Sequence, residues 1–115
     1  MERELHGAAP HPAVATSLNN VACVMRAQGD FAGAHKLYEE SLAMRRELHG
    51  AAPHPDVARM LHDLGALCFK QSRFDDAVQY FQEARRILKA LAAPPDAFGG
   101  LAGVVETGLR ISLQA

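Results

Sequence analysis

The segment ELHGAAPHP occurs twice in this chain, at Glu4 to Pro12 and again at Glu47 to Pro55, nine identities in nine at an offset of 43 residues. The same offset aligns Val14 with Val57, Ala15 with Ala58, Leu18 with Leu61, Gln28 with Gln71, Phe31 with Phe74, Ala34 with Ala77 and Glu40 with Glu83. A repeat of this period restricts the chain to a solenoid, in which each unit buries its apolar face by stacking on a neighbour. At 115 residues the chain is one domain, too short for separate cofactor and substrate lobes.

Within each unit the apolar residues follow a helical period. Val14, Leu18, Val21, Ala22 and Met25 mark one helix, and Phe31, Ala34, Leu37, Tyr38, Ser41 and Met44 a second. Alanine fills 21 of the 115 positions and Trp is absent, which favours close-packed helices over a sheet. The fold class predicted is all-α. Pro12 and Pro55 follow a histidine and sit where a first helical turn tolerates a missing N–H, and Asp56 adds a negative charge at that positive end. Gln28-Gly29-Asp30 reads as a Gly C-cap followed by an Asp N-cap, and Ser72 with Asp75 has capping-box spacing. Helices are predicted near 13 to 28, 31 to 48, 56 to 71 and 74 to 91, with Gly50 to His54 as the loop between units.

The two ends depart from the pattern. Met1 to Leu5 aligns with Met44 to Leu48, so residues 1 to 12 read as the remnant of a preceding second helix and its loop, ahead of units at 13 to 48 and 56 to 91. Beyond Pro94-Pro95, residues 96 to 113 carry Phe98, Leu101, Val105 and Leu109 at helical spacing. Four glycines weaken that helix, which is expected to cap the second unit. Two complete units are fewer than the roughly three that usually make a stable solenoid, so an exposed apolar end is expected.

Each unit has a small residue in the first helix (Ala22, Gly65) and an Ala in the second (Ala34, Ala77). Gly29 marks the turn, Phe31 and Phe74 follow it, and Tyr38 and Phe81 come later. This pattern resembles the tetratricopeptide repeat (TPR). The long period and the run HPAVATSLNNVACVMRAQGDFAGAHKLYEESLAMRREL are similar to the kinesin light chain subtype, over about Glu4 to Leu91. Ser72 replaces the turn Gly in the second copy, and His62-Asp63 replaces Asn19-Asn20. The resemblance implies two helix-turn-helix repeats stacked as an α-solenoid, plus a C-terminal capping helix. It also implies a protein-binding module without catalysis.

Composition and motifs exclude several classes. With 12 basic against 13 acidic residues and a net charge of -1, a strongly basic nucleic-acid or membrane binder is disfavoured. Gly99 and Gly103 have GxxxG spacing, but in a stretch too short to span a bilayer. Cys23 and Cys68 lack CxxC spacing and read as reduced thiols of a soluble, cytoplasmic protein. His6 with His11 and His49 with His54 recur at five-residue spacing across a loop. That spacing does not match the i, i+4 pair of a helical zinc site, so neither metal nor cofactor is predicted. Cys23 has no neighbouring base or oxyanion turn, and no phosphate-cradling motif is present. Asp75-Asp76 at a helix start and Arg45, Arg46, Arg85, Arg86 and Lys89 near helix ends read as charges complementing helix dipoles.

The resemblance places the inner groove on the first helix of each unit, at Thr16, Asn19, Asn20, Cys23 and Arg26, and at Arg59, His62, Asp63, Ala66, Phe69 and Lys70. Asn20 would hold the backbone of a bound peptide, since its amide donates and accepts at once. Phe69 would be an apolar anchor, or would pack under the turn. The Lys and Asn pattern of repeats that clamp a terminal carboxylate is not found. The expected function is a non-catalytic module that binds a protein, as a peptide or helix, in this groove. The alternative is a structural unit that self-assembles by stacking through open repeat ends.

Overall fold

The computed structural model describes residues 11–50, 52–94 and 96–115. These form α1 (Pro12–Ala27), α2 (Phe31–His49), α3 (Pro55–Lys70), α4 (Phe74–Ala90) and α5 (Ala97–Gln114). There is no strand among the described residues. The expectation that residues 1 to 10 continue a preceding helix lies outside them.

Three of the five helices start at a side-chain cap. His11 and His54 are the N-caps of α1 and α3, and each accepts through Nδ1 the backbone N–H two residues on, at 3.1 and 3.0 Å. Pro12 and Pro55 then open the helices without losing a donor the helix needs. The duplicated His-Pro is therefore a helix-start device. Asp30 caps α2 by accepting from Gly33 N at 3.0 Å. The capping box expected at Ser72 and Asp75 does not form. Ser72 instead takes the left-handed conformation, φ 60, that its counterpart Gly29 takes at φ 88, and Arg73 is the N-cap of α4 without a side-chain bond. The constraint is the tight exit from α3, which needs a positive φ at this position whatever residue occupies it.

α1 packs on α2, α3 on α4, and the two pairs join where α2 meets α3. Small residues permit this approach: Ala15, Ala22, Ala34, Ala58, Ala77 and Ala84 are all fully buried. Ser41 closes the first pair by donating from Oγ to the Ala15 carbonyl at 3.0 Å in the buried interior. Two aromatic side chains fill the largest spaces. Tyr38 is enclosed at the first junction, and the Phe81 ring lies against Gly65 of α3 and Gly108 of α5. Each such burial contributes about 1.5 to 3 kcal/mol.

α5 packs on α4 and touches α3, so it continues the stack as a third first-helix would. Leu101, Val105 and Leu109 face inward as the spacing predicts, but Phe98 does not. Phe98, Gly99 and Gly100 all have positive φ, forming a left-handed turn before the regular helix begins, and the Phe98 side chain is exposed. Two consecutive glycines make this turn accessible, and Phe98 is carried into it. Val14 and Val21, which mark the apolar period of α1, are also exposed.

Candidate functional site

α1 and α3 carry all the residues expected on the inner face, and their surroundings separate the available side chains from the committed ones. On α1, Thr16 and Asn20 are exposed and Asn19 is half-buried, with its Oδ1 sealed from solvent. Cys23 is half-buried, its Sγ 3.2 Å from the Tyr38 hydroxyl. Arg26 of α1 and Asp63 of α3 act on the same hydroxyl. Burial, then the Cys23 contact, pushes the Tyr38 pKa well above the usual phenol value, so this group is a neutral pin between the helices.

On α3, Arg59 donates to the Phe98 carbonyl at 3.2 Å, which ties the left-handed turn to the inner face. His62 Nδ1 and Asp63 Oδ1 are 3.3 Å apart, and the His62 ring is tilted against Phe81 at 5.8 Å. Phe69 is half-buried, edge-on to Phe74 at 5.2 Å across the turn, while Lys70 is exposed. Phe69 thus packs under the turn, as one of its two expected fates has it.

The structure adds residues that sequence reasoning did not place in the site. His62, Ala66, Phe69 and Lys70 of α3 share an open groove of about 330 Å³ with Val104, Thr107 and Ile111 of α5. Val104 and Ile111 are among the exposed large apolar residues. α5 therefore forms the opposite wall of this groove. The available signal was apolar residues lying outside the Leu101, Val105, Leu109 stripe.

Two clusters have the composition of reactive sites and need a chemical test. Cys68 Sγ lies 3.8 Å from His35 Nδ1, His35 Nε2 lies 3.1 Å from Glu39 Oε2, and the Tyr80 hydroxyl donates to Glu39 Oε2 at 3.0 Å. This is the order nucleophile, base, carboxylate. A cysteine nucleophile needs access and a lowered pKa. Cys68 is fully buried, and burial pushes its thiol up to about 11. The network joins α2, α3 and α4 as a packing element.

The second cluster is His49, His54 and Asp56. The loop between repeats folds back at Gly50, φ 67, and stacks the two imidazoles 3.4 Å apart, with His49 Nε2 3.3 Å from Asp56 Oδ2. The sequence spacing concealed this approach. Two imidazoles and a carboxylate are a metal-ligand set. His54 Nδ1, however, already accepts the Asp56 N–H, and Arg45 stands 3.8 Å from the carboxylate. A ligating histidine donates from its second nitrogen, whereas this one accepts. The residues serve the helix cap and an ion pair.

None of the helices formed by the described residues is long and apolar enough to cross a membrane. Comparison with curated proteins gives no match. Two family models, both described as tetratricopeptide repeat, match residues 14–56 and 50–90, and both are of the kinesin light chain-like subtype. Together with the stacked helix pairs, the small-residue contacts and the aromatic fillers, they settle the family: the chain belongs to the tetratricopeptide repeats, which act as protein-protein interaction modules.

Proposed function

We propose that this chain binds an extended peptide or a helix of a partner protein along the inner face formed by α1, α3 and α5. The observation that carries the reading is the open groove between α3 and α5, where Ala66, Val104 and Ile111 present apolar surface beside exposed Lys70. An apolar side chain of the ligand enters this groove and gains about 1.5 to 3 kcal/mol from burial. Asn20, exposed on α1, pairs with the ligand backbone through an amide that both donates and accepts. Thr16 and Arg26 extend that polar rim. Arg59 and Cys23 act indirectly in this reading, because each already holds a neighbour, Phe98 or Tyr38. Binding is non-catalytic, requires no cofactor, and takes place in the cytoplasm.

The test is selection of binders from a random peptide display library, followed by affinity measurement on purified variants. Asn20→Ala with Arg59→Ala, and separately Ile111→Asp, should each weaken selected peptides at least tenfold while the helical circular dichroism is retained. Wild-type affinity in both variants would contradict the reading.

A further inference from the structure

Phe98, Gly99 and Gly100 stand one after another in the left-handed region, at φ 54, 71 and 79. Glycine takes that conformation freely, whereas a residue with a Cβ keeps it only where its surroundings hold it there. Packing does not hold Phe98, whose side chain is 38% exposed. Arg59 of α3 does, by donating from Nη2 to the Phe98 carbonyl. The fold thus keeps an aromatic ring in solvent on a strained backbone, and its place along the seam between α3 and α5 gives that arrangement a use. Arg59, His62, Ala66 and Phe69 follow one another at three- and four-residue spacing, so one face of α3 runs from Arg59 into the groove shared with α5. Phe98 meets that face at Arg59, and Val104 and Ile111 meet it farther along.

We propose that the Phe98 ring is a second contact for the bound partner, at the head of the α3 and α5 groove, and that Arg59 is the positioning residue that keeps it there. This rests on the peptide-binding reading of that groove and specifies its ligand. From Arg59 to Ala66 the α3 helix rises about 10 Å, at roughly 1.5 Å per residue. An extended peptide covers that distance in about three residues, and a helix in about seven. The extended form is the one that fits, because Asn20 pairs with ligand backbone in this reading, and a helix has already spent its backbone N–H and C=O groups on itself. The ligand is therefore an extended segment with two apolar side chains about three positions apart, one entering beside Ala66 and the other lying on Phe98.

The test uses peptides selected by display on the full chain, which should share two apolar positions at that spacing. Phe98→Gly removes the ring and relieves the backbone at once, so the melting temperature should rise while affinity falls about tenfold, the equivalent of one lost apolar contact. A residue that served packing alone would move stability and leave affinity where it was. A peptide whose second apolar residue is changed to Ala should bind the wild-type chain and Phe98→Gly equally. Arg59→Ala should weaken binding to the wild-type chain and add nothing in the Phe98→Gly background, because it acts through the ring. Wild-type affinity in Phe98→Gly, with Ile111→Asp still disruptive, leaves the groove reading standing and overturns this inference. Selected peptides with their apolar positions about seven apart overturn it as well, in favour of a helix. Binding indifferent to Ile111→Asp, or no selected binder, removes the groove reading and this inference with it.

Discussion

A Cβ placed on Gly65 would lie 2.8 Å from the Phe81 ring, so the contact between these two residues fixes how closely α3 and α4 approach. Gly108 of α5 meets the same ring, at 2.5 Å from its own ideal Cβ. One aromatic side chain therefore sets the spacing of three helices, and the glycines that weaken α5 as a helix include the one that lets it dock.

The contact predicts opposite outcomes for the same substitution. Gly108→Ala should destabilise, because overpacking at about 1 to 3 kcal/mol exceeds the helix propensity gained, at most about 1 kcal/mol. Gly65→Ala should do the same. Gly103→Ala lies one turn away in open space and should stabilise by about 0.5 to 1 kcal/mol. Urea midpoints of the three variants check the signs.

Ser72 holds a left-handed backbone, φ 60, without being glycine. Ser72→Gly removes a strain of about 1 kcal/mol, and the gain should appear as a higher melting temperature. The reverse change at its counterpart, Gly29→Ser, should cost a similar amount.

Burial raises the Cys68 pKa from 9.0 to about 11, so the folded chain favours the neutral thiol. The associated stability is fully present below about pH 9 and is lost as the pH rises towards 11, amounting to about 2 to 3 kcal/mol. Urea unfolding at pH 8 and pH 10.5 should show a loss that Cys68→Ala reduces, the remainder coming from Tyr38 and Tyr80, whose pKa values burial also raises. Alkylation at pH 8 should label half-buried Cys23 before Cys68.

Ala77 is fully buried between the helices of the second repeat, and Ala77→Leu should unfold that repeat. An unchanged melting temperature would place this alanine wrongly in the register.

The helix pairs were legible because local rules sufficed: a 43-residue offset, a 3.6-residue apolar period, and His-Pro and Gly-Asp punctuation. What was not legible depended on the third dimension. Ser72 has a good capping-box spacing, yet the tight turn claims it one position too early. Phe98 continues an apolar stripe, yet Gly99 and Gly100 admit a left-handed turn that ejects it. His49 and His54 look distant across a loop until Gly50 reverses the chain and stacks them. Cys68, His35, Glu39 and Tyr80 come from three helices with no common spacing. The part played by α5 in the inner face depends on its packing angle against α3, which no pattern within α5 encodes.

The central claim is that partners lie along the inner face, and photo-cross-linking tests it most directly. A display-selected peptide carrying one photoreactive residue at its apolar anchor is irradiated with the chain, and the adducts are mapped by mass spectrometry. The account predicts adducts on α3 and α5 at Ala66, Phe69, Val104 or Ile111, lost on competition with unlabelled peptide. Adducts confined to the α2 and α4 surfaces would contradict it.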